Sequence, residues 1–396
     1  MLARSHDVVV VVPRPSYPDP SFYDKQSTLE GDRLCRYRVE RPLEFVPHSR
    51  SLAIRAVREQ VMALRLAVRA AREPADIVVS SSPSMFLGPV SWLLARTKSS
   101  RFVWDIRDIG WDYAGESRMM SAWMRPLVKI LQRYMWAVVA RADLIVVASR
   151  GGAERVSQNV PSGRKILLVD NSVAKELLDD FKLCQERVTK SRSIVSYVGL
   201  IGDPQAVGTL VDVARILPAV DFLIVGEGPE RSLVEKRVQE LQLPNVKLTG
   251  YLPRPDVREV YRRSDILFAQ LKDAPTLNST SLPSKLYEYM ATGKPIVYAG
   301  KGLAAETVDE IGCGVSVSPE RSDLIAHAIA ELLGDEERMS DMGRKGRIFV
   351  ETGADRETAF EELVAALRFT SEPTAPVAFE PDVAADDVAA KHSDGS

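Results

Sequence analysis

The sequence predicts an α/β protein made of two Rossmann-like domains whose parallel sheets face each other across a cleft. Three observations predict it. At 396 residues the chain exceeds what one ordinary core supports. Short apolar runs of strand length alternate with helix-period segments, the pattern of an open parallel sheet. A polar stretch without a strand pattern, residues 172–192, separates two such series. The expected organisation is therefore a first domain over 1–171, a linker over 172–192 and a second domain over 193–350. A C-terminal helix follows over 351–370. The tail, 371–396, is rich in Pro, Ala and Asp with almost no large apolar residues, a composition that predicts disorder.

The elements follow in order. Residues 7–13 (DVVVVVP) read as a short buried strand ended by proline. A first Rossmann strand should lead into a glycine-rich turn and a helix. Here it leads into Arg14-Pro15-Ser16-Tyr17-Pro18, with no glycine before Gly31. Residues 34–39 read as another strand. A helix over 52–71 has apolar positions at Leu52, Val57, Val61, Leu64 and Val68, interleaved with Arg55, Arg58, Arg65, Arg69 and Arg72. A strand is expected at 76–80, a helix at 85–95 and a strand at 101–106 that ends in the loop RDIGWD. A long apolar helix over 119–140 carries Arg125, Lys129 and Arg133. A strand at 144–148, a helix start at 151–158 and a strand at 166–169 complete the first series. The second series begins at Ile194, with strands at 194–198, 222–225, 246–248, 266–268, 296–298 and 314–317. Helices lie between them, and further helices span 322–333, 336–350 and 357–368.

Composition narrows the function. The net charge of −2 is uneven: residues 1–150 hold 23 Lys and Arg against 15 Asp and Glu, or +8, which leaves −10 for the rest. A basic half suits a nucleic acid, a membrane surface or an anionic ligand, or is simply a solvated face. Cys35, Cys184 and Cys313 match no metal or redox spacing, so no metal site and no disulfide framework are expected. The four histidines do not cluster. No signal peptide is expected, and no apolar run reaches the ~18 residues of a membrane-spanning helix.

Residues 282–295 (LPSKLYEYMATGKP) hold the most specific pattern. Lys285 and Glu288, three residues apart, share a face near a helix N-terminus. The free N–H groups and partial positive charge of that end suit a phosphate. Lys285 can neutralise a diphosphate as a point charge, and Glu288 can accept two hydrogen bonds from a ribose diol.

This segment resembles the nucleotide-sugar-binding helix of family 4 glycosyltransferases, which have the GT-B fold. Other segments resemble that family in the same register. They are YVGLIG at 197–202, VGEGP at 225–229, VKLTGYL at 246–252 and, in the first half, FVWDIRD at 102–108, ADLIVVAS at 142–149 and ILLVDNSV at 166–173. The resemblance spans roughly residues 6–368, and is nearest to bacterial envelope-polysaccharide and lipid-linked sugar transferases. It implies a retaining glycosyltransferase with a nucleoside-diphosphate sugar as substrate, a saccharide or lipid-linked acceptor, and no metal or other cofactor. It implies donor contacts at Gly199, Gly202, Gly226, Tyr251, Leu252, Thr280, Ser284, Lys285 and Glu288. Lys285 is also expected to stabilise charge on the departing diphosphate. Asp108, at a strand end facing the cleft, is the candidate acceptor contact or base.

Three departures stand against this pattern. The family's usual acid eight residues before Glu288 is Thr280, whose hydroxyl is expected to touch sugar or phosphate. The basic residue common after the first glycine turn is Asp203. The family's first strand, glycine loop and helix, about 30 residues, have no counterpart here, as if the chain began at an internal Met. These departures favour an alternative, a catalytically weak protein acting as a binding or regulatory partner in polysaccharide assembly. A nucleotide-sugar epimerase would need a second acidic pair in the cleft, which the sequence does not supply. The basic, apolar helices 52–72 and 119–141, with Trp123, Tyr134 and Trp136, also suit peripheral contact with an anionic membrane. The expected location is the cytoplasm, at the inner face of the cytoplasmic membrane. No nucleic acid is expected as a partner.

Overall fold

The computed structural model describes residues 2–4, 6–14, 35–42, 52–82, 84–116, 124–185, 190–352 and 356–368. The tail expected to be disordered, and Trp123, lie outside the described residues.

Parallel strands form three sheets. In the first half, β3 (Ile77–Ser81), β4 (Arg101–Ile106), β5 (Leu144–Val147) and β6 (Ile166–Leu168) pair in that order. β1 (Val9–Val11) and β2 (Arg38–Glu40) pair with each other in a separate two-stranded sheet, rather than extending the first. Both are three residues long, and β1 is only half-buried, so they lack the continuous burial that anchors the longer strands. In the second half the order is β12 (Gly314–Val317), β11 (Ile296–Ala299), β10 (Ile266–Gln270), β7 (Ile194–Val198), β8 (Asp221–Val225), β9 (Val246–Gly250). Sequence order reverses between β10 and β7. The loops beyond the carboxyl ends of those two strands therefore border the crevice where such sheets bind ligands.

The helices cover the sheets. The first half has α1 (Leu52–Ala70), α2 (Leu87–Lys98), α3 (Gly110–Glu116), α4 (Arg125–Val139) and α5 (Arg150–Asn159). The segment read as a linker contains α6 (Lys175–Phe181) and a following 3-10 turn. The second half has α7 (Gly208–Ile216), α8 (Arg231–Glu240), α9 (Arg254–Arg263), α10 (Pro275–Thr280), α11 (Ser284–Thr292), α12 (Leu303–Ile311), α13 (Ser322–Leu333) and α14 (Glu336–Thr352). The chain then returns. In α15 (Arg356–Leu367), Ala366 and Leu367 pack on Val103, Leu144 and Val146 of the first half's sheet.

Continuous apolar strands explain the core. Every residue of β5 (LIVV), β10 (ILFAQ) and β11 (IVYA) is buried, as expected of parallel strands covered on both faces. Trp104, Met135 and Ile145 centre one core; Val195, Phe222 and Phe268 centre another. A third core joins α11 to the second sheet through Leu286, Tyr289 and Met290.

Candidate donor-binding site

The crevice floor is built from interlocked glycine turns. Gly199 N–H donates to Val225 O at 2.9 Å, Ile201 N–H to Glu227 O at 2.9 Å, and Gly226 N–H to Gly250 O at 2.9 Å. Gly199 and Gly226 have φ of +148° and +139°, which L side chains rarely adopt. A Cβ on Gly226 would collide with the Gly199 carbonyl. One on Gly199 would lie 2.8 Å from the Lys285 ammonium. The glycines thus let two backbone turns and one cation meet at the carboxyl end of β7.

Helix α11 delivers that cation. Its apolar face is buried, and Gly293, with φ +70°, ends it. Tyr289 fastens it to β7: its hydroxyl accepts from Val198 N–H at 2.9 Å and donates to Val198 O at 3.1 Å. One turn earlier, Lys285 Nζ donates to the Tyr197 hydroxyl at 2.8 Å and lies 4.1 Å from the centroid of that ring. Lys285 retains some solvent access but is enclosed by protein. Burial lowers its pKa to about 7, and Glu288 opposes the shift. The carboxylate of Glu288, half-buried, accepts from Tyr261 Oη at 3.2 Å. Ser284 is exposed at the first position of α11, and Tyr251 and Leu252 follow β9, with Tyr251 exposed. The structure therefore brings Gly199, Gly226, Lys285 and Glu288 to one sheet end, with Gly202 in the next turn.

Thr280 is placed differently from the expectation of a sugar or phosphate contact. It ends α10 and is buried. Its hydroxyl donates to Thr276 O at 2.7 Å, so the side chain is turned back onto its own helix. Asp203 is not an isolated reversal of charge. Its carboxylate accepts from Lys272 Nζ at 2.5 Å and from Tyr113 Oη at 3.1 Å. Lys272 follows β10 at the crevice and supplies a cation there from another loop. Tyr113 brings in the first half of the chain, and burial followed by Asp203 raises its pKa to about 12.

Further contacts join the two halves through α10. The Glu116 carboxylate accepts from Thr276 N–H at 2.9 Å and from the Thr276 hydroxyl at 2.6 Å, which caps a helix whose own cap residue, Ala274, offers no side-chain acceptor. At the other end, Ser149 Oγ donates to Thr280 O at 2.6 Å. Gly151, at the start of α5, leaves no room for a side chain against the Ser279 carbonyl. Asn171 Nδ2 donates to Leu282 O at 3.2 Å, just before α11.

Asp108 lies beyond β4, where its backbone N–H and that of Arg107 donate to the buried Ser82 hydroxyl at 3.4 and 2.7 Å. Its side chain is solvent-exposed yet flanked by protein. Desolvation raises its pKa and Arg107 opposes the rise. Among the described residues, no group of three or more His, Cys, Asp and Glu is arranged to hold a metal ion.

Two parallel-sheet α/β units, with glycine turns and the Lys285-bearing helix at one sheet end, define a GT-B protein. The chain belongs to the family 4 glycosyltransferases. The "Glycosyl transferase 4-like domain" matches residues 1–172, and "Glycosyl transferases group 1" matches residues 182–349. TuaH of Bacillus subtilis, a glycosyltransferase assigned to teichuronic acid biosynthesis, is 29% identical over 189 residues, 46% of each chain. The 2-deoxystreptamine glucosyltransferase of Streptomyces kanamyceticus is 25% identical over 240 residues, 56% of this chain and 58% of that one. The chain thus spans about half the length of these relatives. Among solved structures, the sucrose-phosphate synthase of Thermosynechococcus elongatus has a TM-score of 0.70 at 19% identity, covering 92% of this chain and 89% of that one. Anabaena HepE, in complex with UDP and glucose, has a TM-score of 0.67 at 16% identity, covering 92% and 100%. Both likenesses establish the fold.

Proposed function

We propose that the protein transfers a sugar from a nucleoside-diphosphate sugar to a saccharide or lipid-linked acceptor, with retention of anomeric configuration, in the synthesis of envelope polysaccharide or a related glycoconjugate. The observation that carries the reading is the placement of Lys285 on α11 against the Gly199 turn, with Glu288 one turn on. An enclosed ammonium that hydrogen-bonds a neutral phenol, and whose pKa burial lowers against the opposing pull of Glu288, gains from a further anion. A diphosphate on the N-terminal side of α11 meets Lys285 and the free N–H groups of that end. Glu288 then faces the ribose diol.

In this reading Lys285 offsets the charge that develops as the diphosphate departs, with no metal required. Lys272 is a second cation at the crevice, held by Asp203. Asp108, from the opposite half, contacts the incoming acceptor hydroxyl, and desolvation raises its pKa above the ordinary carboxylate value. The assignment of TuaH to teichuronic acid biosynthesis supports a saccharide acceptor, and the UDP complex of HepE supports a nucleotide in this fold. The alternative of a catalytically weak partner rests on Asp203, on Thr280 and on the first strand, glycine loop and helix that have no counterpart in the sequence. The Lys272–Asp203 pair weakens it, because the cation expected at that turn arrives from a different loop.

A panel of mass-tagged nucleotide sugars tests the reading. One donor should be turned over, to product or by slow hydrolysis, at a rate that falls at least tenfold in Lys285→Ala. Turnover of none, in the presence of membrane and saccharide extracts, would overturn it.

A further inference from the structure

Helices α1, α2 and α4 lie side by side over the first half. Lys98 of α2 reaches the Ala71 carbonyl beyond α1 at 2.8 Å, and Arg141 beyond α4 sits 5.5 Å from the ring of Trp92 on α2. Their inward faces are accounted for, by Ala63 and Leu66 on α1 and by Val128, Met135 and Val138 on α4, all buried. Their outward faces are not polar. On α1, Val57, Leu64 and Val68 recur at i, i+7 and i+11 and are each more than half exposed. On α4, Leu127, Ile130 and Tyr134 recur at i, i+3 and i+7 and are also more than half exposed. Each set forms a single stripe on the side away from the core. A water-exposed helix has no use for such a stripe, and two on the helices that flank α2 mark an interaction surface.

Charge selects the partner. Alongside the stripe of α4 run Arg125, Lys129 and Arg133, all exposed, and that helix contains no acidic residue. Helix α2 contains Arg96 and Lys98 and no acid. An apolar stripe flanked by cations is the pattern that lies in a bilayer interface with its cations at anionic headgroups. A protein partner would need a matching acidic, apolar face.

We propose that the outward face of α1, α2 and α4 docks on an anionic lipid bilayer, with Leu64, Val68, Leu127, Ile130 and Tyr134 entering the interface. The sequence reading placed Trp136 at such an interface; the structure corrects this. Trp136 is buried edge-on to Trp111, and its Nε1 donates to Asp112 at 3.3 Å, so Tyr134 takes the outward position. This surface uses no residue of the donor site.

Co-sedimentation of the full chain with vesicles of 30% phosphatidylglycerol in phosphatidylcholine tests the proposal. Binding is expected at low salt, weakens as salt rises, and falls at least tenfold on pure phosphatidylcholine. Lys129→Glu with Arg133→Glu, both at exposed positions, should weaken it about 25-fold or more. Leu64→Glu with Ile130→Glu should abolish it. Melting temperature and the thermal shift given by UDP or GDP should not change in either double variant, so that loss of membrane binding is separable from loss of the donor site. Absence of binding to the anionic vesicles, or equal binding by the charge-reversed variant, would overturn the proposal. So would a wild-type dimer on size exclusion that the apolar-to-Glu variant dissociates, because the face would then belong to a second copy.

Discussion

The ammonium of Lys285 stands 2.8 Å from the hydroxyl of Tyr197 and 4.1 Å from the centre of its ring. The pair holds a cation over a glycine turn with, among the described residues, a phenol as its immediate hydrogen-bond partner. Burial then brings its titration to about 7, and an arriving diphosphate favours the protonated form.

The first prediction concerns pH. Nucleoside-diphosphate affinity should be highest below pH 7 and fall up to tenfold per unit above it, levelling at the raised pKa of the complex. Calorimetric titration between pH 6 and 9 measures this, and Lys285→Met should remove the dependence. Stability of the free protein carries the opposite signature. Between about 7 and 10.5 the unfolded chain binds a proton that folded Lys285 has released, so this group makes stability rise with pH across that window.

Glu288 and its partner should separate in effect. Glu288→Ala removes the ribose contact and should weaken donor binding by roughly 1.5–3 kcal/mol, the range for a hydrogen bond to a charged group. Tyr261→Phe leaves the carboxylate but frees its orientation, and should weaken binding by about 1 kcal/mol. Equal losses in the two variants would show that Glu288 acts through Tyr261 rather than on the donor.

The glycine floor is intolerant of a methyl group. Gly226→Ala places a Cβ on the Gly199 carbonyl at φ +139°, and the conformation alone costs about 1–3 kcal/mol. Thermal melting should fall accordingly, and nucleotide binding should be lost even in folded protein, because Gly199 moves away from Lys285. Retained affinity would remove the turn from the site.

Most of the fold is readable from residue pattern because its strands are continuous apolar runs. LIVV, ILFAQ and IVYA can be buried on both faces and little else. The donor helix is readable for the same reason: its apolar spacing, Pro283 and Gly293 fix both ends. What the pattern omits is what pairs across distance. Glu116 and Thr276, or Ser149 and Thr280, stand more than a hundred residues apart and have no periodic signature. The capping box that would have announced α10 is absent, since its cap comes from the other half of the chain. Asp203 reads as a lost phosphate contact only while Lys272, on another loop, is out of view. The return of α15 to the first sheet is likewise invisible in its own apolar spacing.

The clasp around α10 yields a further prediction. Glu116→Ala uncaps that helix and should destabilise the protein by about 1–2 kcal/mol. Gly151→Ala forces α5 off the Ser279 carbonyl and should separate the halves. Small-angle scattering should show an increased radius of gyration, and transfer should fall more than donor binding does, because Asp108 moves relative to Lys285.

Asp108→Asn should keep donor affinity within about twofold and reduce transfer by 10²–10⁴-fold, the usual contribution of a positioned acid or base. Equal loss of affinity and rate would move this residue to the donor side.

The central claim is that α11 binds a nucleoside diphosphate through Lys285. Its most direct test is the melting temperature of the full chain with millimolar UDP, GDP, ADP or TDP, compared with Lys285→Ala and Glu288→Ala. One base should raise the melting point by several degrees, and both variants should abolish most of that rise. No shift with any of the four, or a shift of undiminished size in Lys285→Ala, would contradict it.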